Sequence, residues 1–154
     1  NVIDPRPDTE TLIEHTLSQG KFCNILDLGT GSGCIILSLL DEYKDAIGVG
    51  IDKSEDALNV AKQNANLLSL SQRVSFNLGN WCEGIKEKFD LIYADPPFHL
   101  KFHEELITVI FQKLMLKPEG YLVIEHGKQT NLSELASFQF CRNFGNVYFS
   151  FFKA

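Results

Sequence analysis

The run Asn24 to Gly33, NILDLGTGSG, constrains this chain more than any other stretch. Asn24 to Leu28 is a short apolar segment bounded by turn residues, the form of a buried strand. Gly29, Gly31 and Gly33 then alternate with Thr30 and Ser32, and Cys34 to Leu40 is an apolar run of helical character. Glycine between a strand and a helix lets the backbone turn sharply and come close to a ligand. The helix start adds free N–H groups and a partial positive charge. The spacing is G-x-G-x-G, which differs from the dinucleotide pattern G-x-G-x-x-G.

The same alternation continues. Thr9 to Leu17 reads as a helix behind Pro5 and Pro7, capped by Asp8 or Thr9. Ala46 to Ile51 and Val74 to Leu78 read as strands, and Ser54 to Leu67 as a helix with Ser54 as cap and Glu55 and Asp56 at its positive end. Phe89 to Ala94 is another buried strand, followed by a helix over His103 to Leu114. Lys117 to Gly120 reads as a tight turn before a strand over Tyr121 to Glu125, and Leu132 to Ala136 as a short helix. Asn146 to Phe152 reads as a last strand, paired through a hairpin at Gly145. Strands alternating with helices give a three-layer α/β fold on a parallel sheet. The 154 residues are expected to form one domain spanning 1–154.

Three acids sit at strand ends. Asp52, with Lys53 beside it, falls roughly 20 residues beyond the glycines, where a carboxylate can accept both hydroxyls of a ribose. Asp27, just before the glycines, could hold an ammonium group. Plainer readings exist: a loop or capping acid for Asp27, and an acid in the cap region before Ser54 for Asp52. Their order on successive strand ends strengthens the ligand reading. The third acid opens Asp95-Pro96-Pro97-Phe98. Each proline fixes φ, lacks an N–H and pushes the residue before it out of the helical region. A stiff turn follows, in which the Asp95 side chain and an adjacent carbonyl can accept two N–H bonds from a flat amino group. Phe98 offers a ring face for stacking. A plain strand-ending turn is the alternative.

Taken together, these stretches resemble the class I S-adenosylmethionine-dependent methyltransferases. LDLGTGSG is similar to that superfamily's first motif, GVGID to its second, and DPPF to the Asn/Asp/Ser-Pro-Pro-Tyr/Phe motif of enzymes that methylate amino or amide nitrogens. The resemblance implies a Rossmann-like fold with a mostly parallel central sheet, flanking helices and an antiparallel C-terminal hairpin. It implies S-adenosyl-L-methionine as cofactor and S-adenosyl-L-homocysteine as its product. Asp27, Gly29, Thr30, Gly31 and Gly33 would hold the methionine part, Asp52 and Lys53 the ribose, and Asn80 and Trp81 the adenine. Asp95, Pro96, Pro97 and Phe98 would hold the acceptor nitrogen. No metal is implied.

Within that superfamily the two halves resemble different families. Val2 to Asp90 is similar to the catalytic domain of release-factor glutamine methyltransferases, through DPRPDTE, LDLGTGSGCI and GNWCE. Asn80 stands where that pattern commonly has Asp and keeps an acceptor oxygen; Trp81 would pack on the base or in the core. Asp95 to Ala154 is similar to bacterial 16S rRNA guanine-N2 methyltransferases, through DPPFH, LKPEGYLVIEHGKQT and NVYFSFF. The glutamine enzymes usually carry Asn-Pro-Pro-Tyr, a longer segment after it, and an N-terminal helical domain that docks the release factor; this chain starts too late for that domain. The rRNA enzymes usually carry Phe-Ala where this chain has Gly29-Thr30. The sequence thus reads as a hybrid, natural or recombined, with a seam near 90–95. Because the acceptor side follows the seam, the expected acceptor leans slightly to the guanine amino group of rRNA in a ribosomal particle. A release-factor glutamine is the alternative, and cofactor binding without transfer the third reading.

The formal net charge is −6 and no basic cluster exists, which weighs against an autonomous grip on a phosphate backbone. No apolar run reaches membrane-spanning length, and the start lacks a basic region followed by an apolar signal core. A cytoplasmic protein with no membrane partner is expected; nothing sets an oligomeric state. Cys23, Cys34, Cys82 and Cys141 lack C-x-x-C spacing and read as core fillers. His99 and His103 follow the proline motif, as candidate bases or as helix-start and surface histidines.

Overall fold

A computed structural model of the chain describes residues 7–96 and 100–154. Its elements are α1 (Pro7–Leu17), β1 (Asn24–Leu28), α2 (Cys34–Glu42), β2 (Ile47–Asp52), α3 (Glu55–Leu67), β3 (Val74–Leu78), β4 (Phe89–Ala94), α4 (Leu100–Gln112), β5 (Leu116–His126), β6 (Phe138–Phe144) and β7 (Val147–Lys153). One sheet of seven strands runs in the order β3-β2-β1-β4-β5-β7-β6. The pairs from β3 through β5 are parallel, and β7 lies antiparallel to both β5 and β6. The chain therefore starts in mid-sheet at β1, walks outward to β3, and returns to place β4 on the other side of β1. That reversal opens a crevice at the carboxyl ends of β1 and β4, where open α/β sheets take ligands.

Each face of the sheet carries its own core. Ile25, Leu91, Tyr93, Val123, Phe149 and Phe151 pack with Leu12, Leu37 and Leu58 from α1, α2 and α3. Leu26, Ile92, Leu122, Ile124 and Phe152 pack with Leu106, Ile107 and Ile110 from α4. Adjacent strand residues point to opposite faces, so strands covered on both sides are apolar throughout. Full burial of each such side chain contributes about 1.5–3 kcal/mol. Helix α3 starts as its sequence requires: Ser54 accepts from the Ala57 amide at 3.2 Å, with Glu55 and Asp56 in the first turn. The carboxyl end of α2 is held by Arg73, whose guanidinium donates to the carbonyls of Leu40, Tyr43 and Ala46.

Five expectations change. Helix α1 begins at Pro7, so Asp8 and Thr9 lie inside its first turn and do not cap it. The Lys117–Gly120 turn lies inside β5, because β4 pairs Phe89 with Leu116 and then Leu91 with Tyr121. The intervening residues bulge, with Glu119 at φ 69. Residues 132–136 form turns and not a helix. The last helix runs from Leu100 to Gln112, starting and ending earlier than the periodicity suggested. Only Cys82 among the four cysteines is a buried core filler; Cys23 is exposed and Cys34 and Cys141 are half-buried. The hairpin forms as expected, with Gly145 at φ 58 opening the two-residue connection between β6 and β7.

Candidate functional site

The glycine turn after β1 is shaped by its own main chain. The amides of Gly29 and Thr30 both donate to the Ile51 carbonyl at 2.9 Å, which pins the turn to the end of β2. Asp52 completes the attachment. Its Oδ2 accepts from the Gly31 amide at 2.8 Å and its Oδ1 from the Ser54 amide at 2.9 Å. The carboxylate is half-buried and keeps further lone pairs for a ligand hydroxyl. Gly29, Asp52, Lys53, Gly79, Asn80 and Trp81 line one cleft of about 120 Å³ at the ends of β1, β2 and β3. A Cβ on Gly29 would lie 3.5 Å from the Trp81 ring, so the indole sits over the turn. Trp81 itself holds φ 51, a left-handed conformation that is strained for a bulky residue. Gly33 differs from the other two glycines: it is buried at φ 82 against Ala61, Leu37 and Phe76, so its missing Cβ serves helix packing.

Asp27 is the most unusual group in this region. It is 1% exposed. Its Oδ2 accepts from the Thr30 hydroxyl at 2.8 Å, while Oδ1 has no hydrogen-bond partner within bonding distance. Burial raises its pKa from 3.8 to about 7; the Thr30 hydroxyl and the nearby Ile36 amide of α2 pull it down, and Asp52 and Glu125 push it up. A buried carboxyl oxygen with no donor is costly. A ligand ammonium group beside it would supply the donor and restore the charge. The residues present therefore fit S-adenosylmethionine: a carboxyl for its ammonium, an acid on the next strand end for its ribose, and an indole beside the turn for its base.

The proline motif leads to a second space. Asp95 and Pro96 follow β4 directly, whereas Pro97, Phe98 and His99 lie outside the described residues. Asp95, Pro96, His103, Glu125, His126 and Asn146 are among the residues that line a cavity of about 270 Å³. It lies at the ends of β4 and β5, beside the start of β7. His103, the fourth residue of α4, is 1% exposed and forms an edge-on ring pair with His126 at 6.4 Å, so it is a helix-start residue and not a surface one. His126 bonds through Nε2 to the Ser150 hydroxyl at 2.7 Å and through Nδ1 to the Gly127 carbonyl at 2.9 Å. That assigns the ring Nδ1–H as donor and Nε2 as acceptor. Burial lowers its pKa, against the Gly127 bond and with help from His103.

Three lining or flanking residues were not foreseen from the sequence: Tyr93, Glu125 and His126. The Tyr93 hydroxyl donates to Glu125 Oε1. Burial, and then Glu125, push that phenol well above its ordinary range, with Asp95 and Asp27 adding to the effect. The available signal was strand alternation. Asp27 pairs with Tyr93 across β1 and β4, and Tyr93 with Val123 across β4 and β5. Two residues further along, Asp95 and Glu125 continue on that same face.

Comparison with known proteins agrees with this architecture. A family model described as "Methyltransferase domain" matches residues 19–147. The release factor glutamine methyltransferase of Rhodospirillum rubrum is 49% identical over 100 residues, covering 64% of this chain and 31% of that protein. The enzyme of that name from Buchnera aphidicola subsp. Acyrthosiphon pisum is 36% identical over 172 aligned positions, covering 88% of this chain and 62% of that protein. The match spans residues 90–95 without a break in family, so the comparison does not carry the hybrid reading. Its aligned length exceeds the 154 residues present here, so that relative carries a stretch this chain lacks. The chain spans about a third of the first curated relatives it matches. Among solved structures, an RNA methyltransferase from Salinibacter ruber in complex with S-adenosyl-L-homocysteine aligns with a TM-score of 0.76 at 18% identity, over 97% of this chain and 93% of that one. A conserved hypothetical protein from Streptococcus pyogenes reaches 0.82 at 18% identity, over 94% of each chain. These likenesses establish the Rossmann-like fold. Among the described residues no helix is long and apolar enough to cross a membrane. The family match over most of the chain and the shared fold lead to one conclusion: this chain belongs to the methyltransferase-domain family and has the class I, S-adenosylmethionine-dependent architecture.

Proposed function

We propose that this domain transfers a methyl group from S-adenosylmethionine to the side-chain amide nitrogen of a glutamine in a peptide-chain release factor. The observation that carries this reading is the run of relatives named release factor glutamine methyltransferase at 36–49% identity. The sequence motifs alone lean slightly to a guanine amino group of rRNA. The RNA methyltransferase likeness stands at 18% identity and supports the fold alone. The acidic balance, with a formal net charge of −6, points the same way as the relatives.

When bound, the cofactor supplies a methyl group on a sulfonium, a reactive donor whose sulfur keeps the bonding pair, so the protein's task is alignment. Asp27 takes the ammonium group and Thr30 orients that carboxyl. Asp52 accepts from the ribose while fastening the glycine turn. Lys53 borders the ribose, and Asn80 and Trp81 border the base. On the other side of the crevice, Asp95 and Pro96 border the acceptor amide, and the Asp95 carboxylate accepts one of its two N–H bonds. An amide lone pair is delocalised into its carbonyl. Hydrogen bonds from its protons to a carboxylate push density back toward nitrogen and disperse the positive charge that develops there.

The test is a pair of variants with a labelled-methyl assay on unmethylated release factor and on undermethylated ribosomes. Asp95→Ala should lower turnover at least tenfold with little change in cofactor affinity, and Asp52→Ala should chiefly weaken cofactor binding. Transfer to ribosomes and not to release factor would refute the acceptor. Cofactor binding with transfer to neither would refute the activity.

A further inference from the structure

We propose that Glu125, steadied by the Tyr93 hydroxyl, is a second hydrogen-bond acceptor for the methyl-accepting –NH2 group, working with Asp95 and making the site selective for a primary amide. This deepens the amide reading above and rests on it. Glu125 and Asp95 follow the paired residues Ile124 and Ala94 on β5 and β4, so the two carboxylates stand side by side at neighbouring strand ends. Both line the cavity of about 270 Å³, whose described lining holds no lysine or arginine. The histidine that stacks on Tyr148 there, His126, has its ring nitrogens committed to Ser150 and Gly127. No ion pair joins Glu125 to a cation among the described residues. Neighbouring carboxylates repel, and such an arrangement suits a ligand that brings N–H donors.

The Tyr93 hydroxyl engages one oxygen of Glu125. The half-buried carboxylate thus has a fixed orientation and retains acceptor capacity toward the cavity. A primary amide offers two coplanar N–H bonds. With Asp95 accepting one and Glu125 the other, the –NH2 plane is set and the nitrogen lone pair is presented perpendicular to it. When nitrogen gains the methyl, it gives one proton to a carboxylate of the pair, which passes it to water; the methyl's former bonding pair stays on the departing sulfur. The singly methylated amide then has one N–H left for two acceptors, so the pair also disfavours a second transfer. In this scheme Glu125 touches the acceptor, and Tyr93 is a positioning residue that acts through it.

The experiment compares wild type, Glu125→Gln and Tyr93→Phe on unmethylated release factor. It measures kcat and KM, S-adenosylhomocysteine affinity by calorimetry, binding of fluorescently labelled release factor to the protein without nucleotide, and methyl number by mass spectrometry. Glu125→Gln sets an N–H donor against a donor, and loss of a charge-assisted bond lowers kcat/KM roughly ten- to a hundredfold. Nucleotide affinity should stay within about twofold, release-factor binding should weaken, and wild type should add a single methyl. Tyr93→Phe should show a smaller loss in the same direction, and it carries the test alone if Glu125→Gln does not fold. Variants within about twofold of wild type in kcat/KM, or a parallel loss of nucleotide affinity, would overturn the proposal and leave the amide reading standing. A wild type that methylates ribosomes and not release factor would remove both.

Discussion

Asp27→Asn should stabilise the protein without its cofactor and weaken it as a cofactor binder, and the stabilisation should depend on pH in a stated direction. The folded state raises the Asp27 pKa from 3.8 to about 7, chiefly by burial. Between those values the folded protein holds a proton that the unfolded chain releases, so stability falls as pH rises through the window. At 1.36 kcal/mol per pKa unit, the cost of ionising Asp27 is nil below about pH 4 and approaches about 4 kcal/mol above about pH 7. Asparagine keeps an oxygen for the Thr30 hydroxyl and removes the titration. It also brings an NH2 group that must find an acceptor, so the gain at about pH 8 should be nearer 2 kcal/mol. Urea denaturation of both proteins at about pH 5 and about pH 8 measures this directly. The variant should gain on wild type as pH rises. With saturating S-adenosylmethionine the order at about pH 8 should reverse, because wild type alone pairs the ligand's ammonium with a carboxylate. A stability difference that does not change with pH would refute the reasoning, since it would mean that Asp27 is not the titrating group.

Two further outcomes follow from packing around the same cleft. Gly50→Ala should cost about 1–3 kcal/mol in chemical denaturation, because its Cβ would lie 2.7 Å from the Phe76 ring and 2.9 Å from Thr30 Oγ1. By displacing Thr30 from Asp27 it should also weaken S-adenosylhomocysteine binding, measured by calorimetry. Trp81 is the chain's sole tryptophan and covers the glycine turn, so its fluorescence should shift as S-adenosylhomocysteine is titrated in. An emission spectrum unchanged at saturation would place the base elsewhere.

What the sequence showed of this site, and what it hid, divides along one physical line. Asp27, Asp52 and Asp95 were legible because each belongs to a local strand-to-turn signal: the glycines, the ribose-range acid and the double proline announce themselves within a few residues. The strands β1 and β4 were equally plain as apolar runs bounded by turn residues, and β3 as an alternating segment. Tyr93 and Glu125 read as ordinary residues near the ends of their strands, since alternation says only that neighbours face opposite ways. Which face meets the crevice is decided by the pairing of Asp27 with Tyr93 and of Ala94 with Ile124. The bulge in β5 is of the same kind. Lys117 to Gly120 has every local mark of a turn between elements. Only pairing of Leu116 with Phe89 makes it an interruption within one strand, and that interruption sets how far β5 is advanced relative to β4. The position of Glu125 beside Asp95 therefore depends on a register shift several residues upstream. Altering the bulge, for instance by Gly120→Ala against the Lys117 carbonyl at 2.9 Å, should disturb the acceptor side of the crevice before it disturbs the cofactor side.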